Sequence, residues 1–170
     1  MNTQIETFTG GCSCGYVRYN MKSTPLIVHG CHCRWCQQQS GASFALNALV
    51  EADQVEITQG ETVETIVETP SGTGQRIFRC PKCQIAIWSN YLVFGGGLGE
   101  LVRFVKVGTL DNPDQFPPDV HIYTSTKQPW LILGSDTPAV DEYYDTGEIW
   151  SRESLRRRAV LLKVGEGKAS

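Results

Sequence analysis

Apolar and polar positions alternate in short runs along most of this chain, with glycine, proline, aspartate or serine between the runs. In residues 16–21, Val17, Tyr19 and Met21 alternate with Tyr16, Arg18 and Asn20, the period of two that turns one set inward. Comparable runs predict strands over 5–9, 26–28, 42–50, 55–59, 62–69, 75–79, 85–89, 103–110, 120–124 and 130–133. Helical signals are few. One turn is predicted over 34–39, stopped by Gly41, and a longer helix over 152–162 with Ser151 as its cap. Many short strands separated by turns predict a mainly β fold of packed antiparallel sheets. Residues 1–134 carry that framework, and 135–170 read as a C-terminal extension, acidic and loop-like to 148 and partly helical after it.

The glycine run 95–99 does not fit the dinucleotide-binding spacing and lacks the strand and helix that such a site needs. It reads as a surface loop, with a lid as the second reading. No repeat or low-complexity tract divides the chain.

Composition narrows the class. A chain of 170 residues fits one domain with an ordinary core. The net charge of −3 offers no basic stripe for nucleic acid, apart from a local cluster at Arg152, Arg156, Arg157 and Arg158. The first residues show no secretory pattern, and no apolar run approaches the roughly 18 residues of a membrane span. An odd count of seven cysteines points to metal or thiol chemistry in a reducing compartment, with the cytoplasm as the expectation.

Those cysteines fall into three groups: Cys12 and Cys14; Cys31, Cys33 and Cys36; Cys80 and Cys83. Three sulfurs within six residues fit a metal ion, because neighbours in a C-x-C do not readily bridge each other. The natural partition is four plus three. Closed structural zinc sites take four protein ligands, whereas catalytic ones take three and leave a position for water or substrate. Pairing Cys12 and Cys14 with Cys80 and Cys83 closes one tetrahedron and leaves the central group as the reactive one. Two Zn²⁺ ions on seven thiolates move the charge from −3 to about −6. Three other readings stay open: a single zinc beside three ordinary buried thiols, His32 as a fourth ligand of the central group, and His32 as a catalytic residue beside it, against a plain polar loop residue. Arg34 is a candidate partner for a substrate carboxylate and Trp35 a candidate pocket wall, against a solvated arginine and a core tryptophan.

The sequence Gly11-Cys12-Ser13-Cys14-Gly15, then Cys31-His32-Cys33-Arg34-Trp35-Cys36 with Ser40-Gly41, then Cys80-Pro81-Lys82-Cys83, resembles the glutathione-dependent formaldehyde-activating enzyme family, also called the centromere protein V family. His121-Ile122-Tyr123-Thr124-Ser125 with Pro129-Trp130 resembles its C-terminal signature, so the likeness covers about residues 7–132. It implies a β-tent fold, a structural zinc on Cys12, Cys14, Cys80 and Cys83, and a catalytic zinc on Cys31, Cys33 and Cys36. It also implies carbon–sulfur lyase chemistry, the family reaction being the joining of formaldehyde and glutathione into S-hydroxymethylglutathione. One departure is Gln84, where the family usually carries glycine.

The expectation is therefore a zinc-dependent lyase acting on a small thiol adduct, with a homo-oligomer left open and no membrane partner. The alternative is a non-enzymatic zinc scaffold for a protein or nucleic acid. Thiol redox or metal buffering is a third reading.

Overall fold

The computed structural model describes residues 6–168. Strands β1 (Phe8–Gly11), β2 (Arg18–Met21) and β5 (Val55–Gln59) form a three-stranded antiparallel sheet in the order β1-β2-β5. The larger sheet has seven strands. These are β3 (Ile27–Cys31), β4 (Ala45–Glu51), β6 (Val63–Val67), β7 (Gln75–Arg79), β8 (Ala86–Tyr91), β9 (Val102–Lys106) and β10 (Val120–Ile122), in the order β10-β3-β4-β9-β8-β7-β6. All its pairings are antiparallel except that of β10 with β3. Helix α1 (Arg34–Ser40) follows β3, and α2 (Thr146–Ile149) and α3 (Arg152–Lys168) lie in the C-terminal extension. The mainly β architecture of packed antiparallel sheets is as expected from the alternation.

Alternation along the central strands gives the large sheet two buried faces. Val28, Ala48, Val50, Trp88 and Val105 turn to one face and pack with Val17, Tyr19, Met21 and Val55 of the small sheet. The rings of Tyr19 and Trp88 meet edge-on at 5.8 Å there. Ile27, Leu49, Val102 and Phe104 turn to the other face, which is covered by α1 and by the extension through Trp150, Leu155, Leu161 and Leu162. The cysteines divide the same way: Cys12 and Cys80 belong to the first core, Cys31 and Cys36 to the second.

Predicted strands 55–59 and 75–79 are reproduced residue for residue, and α1 ends at Gly41, whose φ of 67° is the left-handed stop. Others shift. The first strand was expected over 5–9; β1 begins at Phe8, and Ile5 lies outside the described residues. The run 103–110 leaves the sheet after Lys106 in a 3-10 turn. Residues 130–133 form no strand at all, and Trp130 and Ile132 are 67% and 92% exposed. The reason is competition for an edge. The outer side of β10 is taken by the extension, where His121 N–H donates to Pro138 O at 2.8 Å and Val140 N–H to His121 O at 2.9 Å.

The expected helix after Ser151 forms and runs further, to Lys168, with Ser151 Oγ accepting from Ser154 N–H at 3.0 Å. Among the described residues, no helix is long and apolar enough to cross a membrane.

Candidate metal centres and active site

Two knuckles of the same design bring the four-sulfur group together. In the first, Cys12 N–H donates to Val17 O and Gly15 N–H to Cys12 O; in the second, Cys80 N–H donates to Ile85 O and Gln84 N–H to Cys80 O. Each turn needs a left-handed residue directly after its second cysteine. Gly15 supplies it at φ 74° and Gln84 at φ 62°. Gln84 Nε2 donates to Pro81 O at 3.0 Å, which ties the side chain back across the turn. Lys82 Nζ lies 4.0 Å over the Tyr16 ring and joins the two knuckles. The Sγ atoms of Cys12, Cys14, Cys80 and Cys83 all lie within 4.8 Å of one another. The amide of Ile85 leads the groups that hold the Cys83 thiol down, to about 6.

The three-sulfur group sits where β3 runs into α1. Cys31 is the last residue of the strand, and Cys33 occupies the cap of the helix, its sulfur accepting from Cys36 N–H at 3.3 Å. Cys36 is one turn into α1. The three sulfurs lie within 4.8 Å of one another, and among the described residues no His, Asp or Glu joins them. The neighbouring thiols of Cys31 and Cys36, helped by backbone amides, bring Cys33 down to about 3. Cys33, then Cys36 and burial, push Cys31 up. One thiolate thus forms readily and the next is opposed, unless a cation offsets the charge. Both all-sulfur sets fit a thiophilic ion such as Zn²⁺ in donor type and spacing.

The two groups differ in what they face. Cys31, Cys33 and Cys36 floor a cavity of about 460 Å³ walled by Trp35, Tyr91, Phe94, Phe104, Tyr123 and Tyr143. Burial, followed by the nearby thiols, pushes the Tyr91 phenol up, so it stays a donor. Beneath the wall, Lys106 Nζ donates to Asn47 Oδ1 at 2.9 Å. Burial lowers the Lys106 ammonium while the thiol group favours its charge.

Of the other sequence candidates, Trp35 is a cavity wall, and its Nε1 donates to Gln75 Oε1 at 3.0 Å. Arg34 is exposed at the mouth and donates to Gln37 Oε1 at 2.8 Å. His32 turns away. It is fully buried, its Nε2 lies 2.9 Å from His121 Nδ1, and it packs on Phe44 instead of entering the sulfur group. Burial, with His121 and Lys127 nearby, brings it down to about 4. Gly30 makes that pairing fit, since a Cβ there would stand 2.6 Å from His121 Nδ1.

Sequence reasoning missed His29, Asn47, Tyr91, Lys106 and Tyr143. His29 was within reach of it: two residues before Cys31 on one strand, it shares that cysteine's face. Tyr143 and Tyr144 come from the extension. They stack at 4.7 Å, and Tyr144 Oη lies 2.5 Å from His29 Nε2.

The model of the glutathione-dependent formaldehyde-activating enzymes matches residues 7–126. The chain belongs to that family. The family match ends before the extension, so Tyr143, Tyr144 and Trp150 stand outside it. Among curated proteins no match is found. Of solved structures, the crystal structure of a Rhodobacter sphaeroides protein is similar at 17% identity with a TM-score of 0.43, covering 61% of this chain and 87% of its own. Membership in the family relates the chain to glutathione-dependent formaldehyde activation, and both of its cysteine groups can hold a metal ion.

Proposed function

We propose that the protein is a zinc-dependent carbon–sulfur lyase that makes or breaks the adduct of a small thiol and an aldehyde. One observation carries this reading: three cysteine sulfurs, joined by no fourth Cys, His, Asp or Glu among the described residues, form the floor of an aromatic cavity. Cys12, Cys14, Cys80 and Cys83 are the ligands of a structural zinc, and Cys31, Cys33 and Cys36 those of the reactive one. Zinc bound there supplies Lewis acidity and keeps a thiol in its thiolate form.

The chain's own residues do the rest. In the forward direction the thiol sulfur bonds the aldehyde carbon, the C=O π pair moves to oxygen, and the thiol proton ends on that oxygen. Trp35, Tyr91, Phe94 and Tyr123 exclude water and confine both reactants beside the sulfurs. Three thiolates around a divalent ion leave one negative charge, which the Lys106 ammonium offsets from below. Seven unpaired cysteines suit a reducing compartment such as the cytoplasm.

The scaffold alternative loses one of its four arginines: Arg157, from the basic cluster that made nucleic acid worth weighing, is turned inward onto Glu51, while Arg152 and Arg156 stay exposed. Zinc content per chain and turnover of S-hydroxymethyl thiols test the proposal. Two zinc ions per chain and measurable turnover are expected. A Cys36→Ser protein that keeps its full metal content and full turnover refutes it.

A further inference from the structure

His29 borders the cavity on the same face of β3 as Cys31. Its Nε2 lies 2.5 Å from Tyr144 Oη, and Trp150 Nε1 lies 2.8 Å from that same oxygen. An indole nitrogen only donates, so Tyr144 Oη accepts from Trp150. Tyr143 is its other hydroxyl neighbour, and that bond favours the Tyr144 phenolate while holding the proton on Tyr143, the sense of a Tyr143 donor. With Trp150 and Tyr143 both donating, the Tyr144 hydrogen goes to His29 Nε2. A neutral imidazole that accepts at Nε2 carries its proton on Nδ1. Nδ1 has no partner among the described residues, and it is not one of the buried polar atoms sealed without one. The result is a fixed N–H donor at the cavity, set by two residues of the extension.

The rest of the lining is poor in charge. Arg34, exposed at the mouth, is the one permanently charged side chain on it among the described residues. The inner wall is made of rings and branched carbons: Trp35, Tyr91, Phe94, Phe104, Ile122 and Tyr143. A tripeptide thiol such as glutathione brings two carboxylates and an ammonium. Beyond Arg34 the lining meets them only with neutral side chains, Asn47, Thr69, Ser71 and Thr126 at its polar parts, so most of that charge goes without an ionic partner. An apolar thiol fits it, and its aldehyde adduct adds one oxygen in need of a donor.

We propose that the cavity takes the adduct of an apolar, aromatic thiol and that His29 Nδ1–H, positioned by Tyr144 and Trp150, holds the adduct's oxygen. The chemistry of the adduct rests on the lyase reading; the class of thiol and the direction of the imidazole do not. His29 keeps its proton throughout.

Two measurements test this on the full-length, zinc-loaded protein. Titration calorimetry with benzyl mercaptan and with glutathione is expected to give at least about tenfold tighter binding of benzyl mercaptan, the scale on which apolar pockets discriminate. Equal or tighter binding of glutathione overturns the thiol class. Nitrogen-15 NMR of the imidazoles, with His29 assigned by its loss in His29→Gln, is expected to show the proton on Nδ1. Tyr144→Phe is expected to move it toward Nε2. A proton on Nε2 in the unaltered protein, or no change in Tyr144→Phe, overturns the role of His29. If both expectations hold and neither thiol's formaldehyde adduct is turned over, the lyase reading fails while the ligand class and the imidazole direction stand.

Discussion

Arg157 of α3 grips both carboxylate oxygens of Glu51, at the end of β4, at 2.6 Å each. The two side chains are only 21% and 11% exposed, so this pair is largely desolvated. It also reaches Thr24 O at 2.9 Å, fastening the extension to the loop before β3. Arg157→Ala strands a buried carboxylate, and a loss of about 2–4 kcal/mol is expected in urea unfolding. Arg157→Lys recovers less than half of it, because an ammonium lacks the planar fork.

Removing sulfurs from the two groups should separate stability from function. Cys80→Ser breaks the link between knuckles 66 residues apart, and its unfolding midpoint is expected to fall by about 10–20 °C. Cys36→Ser acts at the mouth of α1, beside a cavity. Its midpoint is expected to fall by less than about 5 °C while one equivalent of zinc is lost, as read by metal analysis and thermal circular dichroism.

Acid should act through the buried imidazoles. Burial brings His29 down to about 3, so it stays neutral in the folded chain, whereas the unfolded chain protonates it near 6.5. Between those values the unfolded state holds more protons, and stability falls as the pH falls, by up to about 1.4 kcal/mol per unit. Above 6.5 the contribution is fully present, and below 3 no more is lost. His29→Gln is expected to flatten the dependence between pH 6.5 and 5 by about one proton, leaving the slope above pH 7 unchanged.

At Gln84 the left-handed backbone is compensated in part by the bond to Pro81. Gln84→Gly removes the strain but also that bond, and it frees the unfolded chain; a change within about 0.5 kcal/mol is expected. Gln84→Val keeps neither advantage and places a branched side chain at φ 62°. It is expected to cost about 2 kcal/mol in denaturant unfolding.

What was legible in the sequence was what local chemistry dictates. The cysteine grouping follows from spacing alone, and Val55–Gln59 and Gln75–Arg79 were bounded correctly because turn residues flank them. Trp130 to Leu133 misled because apolar content says nothing of whether a sheet edge is free, and residues 138–140 had already taken it. His29 and Tyr144 meet across 115 residues, with no periodicity or motif to announce the contact. The cavity was hidden for the same reason. Its wall draws on α1, three strands and the extension, and each ring, taken singly, reads as ordinary core.

The alternation that turns Val28 one way and Cys31 the other has a consequence for how this protein can change. One layer of backbone separates the sulfurs that join the two knuckles from those that floor the cavity. Residues lining the cavity can be exchanged, and new ligands accommodated, with little disturbance transmitted to the joined knuckles behind the sheet. A fold partitioned in this way can vary its chemistry on one side while the other keeps it assembled.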